Sequence, residues 1–246
     1  MPLMDGILRC TRYAFGPNRL HYCGPDKNSE IKAYIKEGAK DAGLEHLISK
    51  FQTLYPYLNY IARTNNIRDP FNGRVVEAYW LGNNMLEKID QKSFYHHLLE
   101  DHKIKHKMGG KSFSFVEEKI GKGAVPHHSF HVFNVWKQVG KDDRDQTVEN
   151  MDECRVSWGK VVEIDGPFIT VLTEPLLYAN KKLFLGTAVK RKLVRQLESE
   201  YDIEQIVVGN FVSIHWGVIC EIITEEQVLN LKKYTLRNLT LANQTI

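Results

Sequence analysis

The spacing of apolar residues changes once along this chain, from the period of a helix to that of a strand, and few architectures accommodate both. Over residues 29–107, Leu44, Leu47, Ile48, Phe51, Leu54, Leu58 and Ile61 form one stripe, and Val75, Val76, Tyr79, Trp80, Met85, Leu86 and Ile89 another. Residues three and four apart share one helical face. Beyond residue 153, Val156–Ile164, Phe168–Val171, Leu183–Val189 and Val207–Ile223 are short apolar or β-branched runs, broken at Asp165-Gly166-Pro167 and Tyr178-Ala179-Asn180. Asp-Gly between such runs signals a hairpin, and several short strands in succession fit a small closed barrel. Gly140–Asn150 is charged and poor in apolar residues, as a linker is. The expected organisation is α+β, with a mainly helical domain at 1–140, a linker at 141–152, and a β-barrel with a C-terminal helix at 153–246.

Local signals refine this. Ser29 is placed to cap a helix, Pro56 to kink or split one, and Asp69–Gly73 to make a turn. Arg191–Tyr201 reads as a polar insertion. Thr224-Glu225-Glu226-Gln227 is a capping box opening the last helix, with a tail expected after Thr235. Arg9–Asp26, with Gly16-Pro17 and Gly24-Pro25 as turn signals, reads as an ordered arm packing aromatics on the helices.

Bulk properties exclude some function classes. The 33 basic and 30 acidic residues leave a net charge of +3, which demands neither nucleic acid nor an anionic membrane. The start lacks a cationic region leading into an apolar run, and no apolar window reaches membrane-spanning length. Cys10, Cys23, Cys154 and Cys220 are scattered without CxxC spacing, against a zinc knuckle or a disulfide framework. A cytoplasmic protein with reduced thiols is expected.

Cys154 and His215 stand out as candidate metal ligands, a thiolate and an imidazole each set at or within a strand. Alternation along Phe211–Ile223 places Val212, Ile214, Trp216, Val218, Cys220 and Ile222 on the core face and turns His215 outward. Other histidines and cysteines form secondary candidates. Cys10, His21 and Cys23 lie close in sequence but lack a known ligand spacing. His127 and His131 fall at i, i+4 after Pro126, which is placed to begin a helix; His128 stands where a zincin would need Glu. His102 and His106 also fall at i, i+4, but Lys103, Lys105 and Lys107 surround them, as at a solvated helix end. No phosphate-binding loop is present.

The C-terminal third resembles the HypC/HupF family of small-barrel [NiFe]-hydrogenase maturation chaperones. Members open with a cysteine, four residues and Gly-Lys-Val-Val-Glu-Ile; here Cys154 is followed by Arg155-Val156-Ser157-Trp158 and Gly159-Lys160-Val161-Val162-Glu163-Ile164. Their last strand, with a Val-Gly-Asp start and a Val-His-Val-Gly centre, is similar to Val208-Gly209-Asn210-Phe211-Val212-Ser213-Ile214-His215-Trp216-Gly217. The resemblance implies an OB-like barrel and Cys154 and His215 as ligands of iron, transiently held as a cyanide- and carbon monoxide-ligated fragment. It also implies a maturation scaffold protein and the hydrogenase large subunit as partners. The alternatives are a non-catalytic protein-binding barrel, and a metalloenzyme using His127, His131 or the Cys10–Cys23 segment with His21.

Overall fold

The computed structural model describes residues 5–136, 147–194 and 205–245. The part of the expected linker at 141–146, and residues 195–201 of the expected insertion, lie outside the described residues.

The first described element is a buried helix, α1 (Gly6–Arg19), where the sequence suggests a turn-rich arm. The Asp5 carboxylate accepts from Ile7 N at 3.1 Å and caps it. Gly16-Pro17, a turn signal in sequence, lies inside the last turns of α1. The helical layer continues with α2 (Asn28–Glu37), α3 (Ala42–Ser49), α4 (Leu54–Thr64) and α5 (Gly73–Trp80). A 3₁₀ turn (Asn84–Lys88), α6 (Gln91–Glu100), α7 (Ile104–Met108) and α8 (Gly110–Gly121) complete it. Pro56 does not split a helix: it falls in the first turn of α4, where a missing N–H costs little. Ser29 lies within α2, whose cap position is Lys27.

His127 caps the one-turn α9 (His128–Phe130), which runs into a π-helical turn, His131–Trp136. The end of the expected linker is helical, as α10 (Val148–Cys154). Cys154 thus closes a helix and does not open a strand; the strand starts three residues later.

β1 (Ser157–Asp165), β2 (Phe168–Thr173), β5 (Val189–Val194), β6 (Phe211–His215) and β7 (Val218–Ile223) form an antiparallel sheet in the order β5-β2-β1-β6-β7. β3 (Leu176–Ala179) and β4 (Lys182–Leu185) make a separate hairpin. Among the described residues no ladder joins β5 to β7, so the five strands make an open sheet there and no closed barrel is found. α11 (Glu225–Ala242) starts with the expected capping box, but residues after Thr235 continue the helix and do not form a tail. Leu239, Leu241 and Ala242 are buried and hold it down.

One face of the sheet buries Val161, Ile169, Val171, Leu193, Val212 and Ile214 against one another. The other joins the helical core: Val156, Trp158, Cys220 and Ile223 belong to the same apolar cluster as Cys10, Tyr13, Tyr57, Tyr79 and Trp80. A bulge between Ser213 and Ile214 leaves Cys220 out of register, since Ser213 pairs Glu221 and Ile214 pairs Ile219. That extra residue breaks the alternation and turns Cys220 to the helical side, away from Val212 and Ile214.

Candidate metal centre

α1 lies across β6 and β7, and buried polar contacts fix it there. Arg9 Nε donates to Glu221 Oε1 at 2.8 Å and Nη1 to Glu77 Oε2 at 3.1 Å. Tyr13 Oη donates to Glu221 at 2.7 Å and lies 2.8 Å from Ser213 Oγ. Further along α1, a Cβ on Gly16 would stand 2.6 Å from the carbonyl oxygen of His215, so only glycine allows this approach. His215 is therefore covered by α1. It is 1% exposed and does not face solvent as alternation alone implied.

His215 Nδ1 lies 2.7 Å from the Tyr13 carbonyl oxygen. A carbonyl only accepts, so Nδ1 carries the proton and Nε2 holds the lone pair. That Nε2 is buried and has no hydrogen-bond partner. Burial holds the ring neutral, with its pKa lowered to about 4. This is the arrangement a metal-binding histidine has: a tautomer fixed from behind and a lone pair directed forward.

Cys154 and His128 meet it there. One ligand atom from each of His128, Cys154 and His215 lies within 4.8 Å of the others, the compact donor group among the described residues. The three come from α9, the end of α10 and the end of β6, so the packing of the helical layer on the sheet assembles them. Cys154 is half-buried; burial first, then the nearby Cys23 thiol, push it up to about 12. The Trp216 indole N–H acts the other way but makes no full hydrogen bond. The thiol is thus protonated at neutral pH, and a bound cation would have to displace that proton.

His128 is already engaged. Its Nε2 donates to the Cys154 carbonyl at 2.8 Å, and its Nδ1 lies 3.2 Å from the Tyr79 hydroxyl, which donates to it. Burial and the neighbouring His215 lower its pKa well below the usual range. His215 is the preformed ligand; His128 must exchange a hydrogen bond to become one.

The hairpin turn beside the site is strained. Trp216 and Gly217 have φ of 51° and 70°, the two-residue turn that usually takes Asn-Gly. Tryptophan in that conformation is costly. Its ring stacks on Tyr22 at 4.3 Å, its backbone N–H donates to the Glu153 carbonyl at 2.9 Å, and its backbone carbonyl accepts from Arg19 Nη2 at 3.2 Å.

The secondary candidates are dispersed. Cys10 is buried in α1, with its thiol raised to about 12 by burial; Cys23 is half-buried and raised to about 11; His21 is exposed, 3.2 Å from Asp26. They do not form a compact group with one another. His127 and His131 diverge, because His127 is a cap residue and His131 begins the π-helical turn. His127 Nδ1 accepts from Ser129 N at 3.2 Å and its ring stacks on Tyr234, whereas His131 approaches Tyr57. The residue between them, His128, is the third member of the candidate donor set that i, i+4 reasoning passes over. Its only sequence signal is the His-His pair itself.

Fold and site together define a mixed α/β protein with a donor set of two buried histidines and one half-buried cysteine. The chain belongs to the DUF6390 family, a family of unknown function, whose profile matches residues 3–246. No curated protein and no solved structure matches it. Among the described residues, no helix is long and apolar enough to cross a membrane.

Proposed function

We propose that this protein binds one transition-metal ion between Cys154, His215 and His128, and that it serves as a carrier of iron in metal-centre maturation. The observation that carries the reading is the meeting of these three side chains within 4.8 Å, with His215 Nε2 buried and unpartnered. One thiolate with two imidazoles suits a borderline metal such as iron and does not suit calcium or magnesium. Cargo would approach from the Cys154 side, where the set has its most exposed member.

The resemblance to the HypC/HupF chaperones gives the cargo and partners of this proposal: an iron fragment with cyanide and carbon monoxide ligands, a maturation scaffold protein, and a hydrogenase large subunit. The sheet order β5-β2-β1-β6-β7 fits a partly open OB-like barrel and supports that comparison. His128 adds a third donor from the helical layer.

The test is anaerobic purification followed by metal analysis and infrared spectroscopy. One iron per chain with cyanide and carbon monoxide bands, lost in Cys154→Ala, is the expected result. Iron at one equivalent without those bands restricts the proposal to metal binding. Unchanged iron content in Cys154→Ala overturns the site.

A further inference from the structure

A second group of imidazoles lies across the helical core. His97 is in the last turn of α6, His102 in the turn after it, and His131 at the start of the π-helical turn. All three rings lie around Tyr57 of α4, with centroids 5.4, 4.2 and 5.8 Å from it. The His97 and His102 centroids are 4.8 Å apart, and those of His102 and His131 6.4 Å. Read as a solvated helix end, this stretch should expose its histidines, yet His97 and His102 are each 2% exposed. Lys103 between His102 and α7 has φ of 51°, a conformation lysine rarely adopts. That local strain accompanies the burial of His102.

We infer that His97 and His102, completed by His131, form a second transition-metal site, distinct from the Cys154 set. Two observations point to a ligand here. First, Nε2 of His97 and Nε2 of His102 are both buried without a hydrogen-bond partner. Buried polar atoms are seldom left so, and two in adjoining rings require a reason. Second, His97 Nδ1 lies 2.7 Å from Asp101 Oδ2 and donates to it. A carboxylate behind an imidazole fixes the lone pair on the opposite nitrogen and raises its basicity, one of the second-shell arrangements metal-binding histidines use.

An orphaned lone pair calls for a Lewis acid or a hydrogen-bond donor. Three neutral imidazoles with one carboxylate in second position suit zinc, copper, nickel or cobalt. Burial keeps the rings neutral, and Lys107 acts in the same direction on His102 and His131. Lys107 and Lys103, with Arg63 3.5 Å from Asp101, also place positive charge at the rim. That charge disfavours hard dications, whose affinity rests on electrostatics more than on donor type. The three histidines do not form a compact donor group as they stand. Binding therefore turns the His102 and His131 rings inward around His97, whose orientation Asp101 already sets.

The experiment is an anaerobic Co²⁺ titration of the full-length reduced protein, read optically. A cysteine-containing site gives a near-ultraviolet thiolate-to-cobalt band; an all-imidazole site gives only visible ligand-field bands. Two equivalents are expected for the wild type. Cys154→Ser with His215→Gln should lose the near-ultraviolet band and one equivalent, leaving the ligand-field bands. His97→Gln with His102→Gln should do the reverse. Asp101→Asn should weaken only the second site, by roughly tenfold or more. Failure of the Cys154 site alone leaves one equivalent without the near-ultraviolet band, so the two readings fail separately. A second equivalent that persists in His97→Gln/His102→Gln, or a wild type that takes up only a cysteine-bound ion, overturns the inference. If the double variant does not fold, ¹⁵N resonances of the wild-type histidines decide instead. Zn²⁺ should shift His97 and His102, and unshifted resonances reject the site.

Discussion

His215 and Tyr13 are joined by a hydrogen bond of 2.7 Å from the imidazole Nδ1 to a helix carbonyl that lacks its usual partner. The residue four positions after Tyr13 is Pro17, which has no N–H to donate. Proline inside α1 thus leaves the acceptor that fixes the tautomer of His215 and with it the lone pair on Nε2. Pro17→Ala restores a competing N–H. The expected result is a helix no less stable by thermal unfolding, with metal affinity at the Cys154 site reduced several-fold, toward the ~10-fold typical of second-shell changes. Unchanged affinity would mean that the freed carbonyl does not matter.

Cys154 is the one thiol in the donor group and is only half-buried, so its removal should leave the fold intact. Cys154→Ala is expected to change the unfolding free energy by about 1 kcal/mol or less, while abolishing the thiolate charge-transfer band of the cobalt-loaded protein. Because the thiol is held up to about 12, metal uptake must release its proton. Affinity should rise by about tenfold per pH unit around neutrality. A flat profile would exclude Cys154 as a ligand.

Gly16 sets the distance between α1 and β6. A methyl group there would stand 2.6 Å from the His215 carbonyl, a backbone atom that cannot turn aside. Gly16→Ala should destabilise the protein by about 1–3 kcal/mol in urea unfolding and weaken metal binding, because the helix that positions His215 is displaced. A variant as stable as the wild type would show that α1 can move without cost.

Arg9 is buried between Glu77 of α5 and Glu221 of β7, and its removal takes the cation from two partly buried carboxylates. Arg9→Met is expected to cost about 3–5 kcal/mol. Replacing Arg9 and Glu221 together should recover part of that loss, and a double-mutant cycle measures the coupling. Purely additive effects would argue against a direct pair.

Buried neutral histidines should make the metal-free protein acid-sensitive. Burial holds His97 and His215 at about 4 and His127 and His131 at about 3. An unfolded imidazole titrates near 6.5. As pH falls below that value the unfolded chain takes up protons that the folded chain refuses, so stability is full above about 6.5 and declines toward 4. Each such group contributes about 2 kcal/mol of loss by pH 5, and several together rival a total stability of roughly 5–15 kcal/mol. Urea midpoints at pH 7.5 and pH 5 test this; equal midpoints would refute it.

The sequence carried the change of period, and with it the order of helices and strands. It carried the capping box of α11, because Thr224 and Gln227 act within one turn. It marked Cys154 and His215 as a pair, through a resemblance and through the chemistry of the two residue types. It also misplaced several features, for local reasons. Gly16-Pro17 is a turn signal in isolation, yet packing across β6 keeps it helical. A single bulge at Ser213 and Ile214 moved Cys220 to the other face. Leu236, Leu239 and Leu241 read as a tail packed back on the fold, whereas they continue the last helix, with Leu239 and Leu241 buried.

What the sequence by itself determined about this protein is the content of most of its parts: the helical run from residue 29, the extended runs after residue 156, and the residue types suited to a metal. Only the tertiary structure decided where His215 points, that His128 joins it, and that His97 and His102 are buried. Those outcomes depend on contacts between segments distant along the chain. The carbonyl at Tyr13, the absent side chain at Gly16 and the end of α10 become neighbours of β6 only when the helical layer closes over the sheet. Periodicity records which face of an element is apolar, but it does not record what covers the polar one.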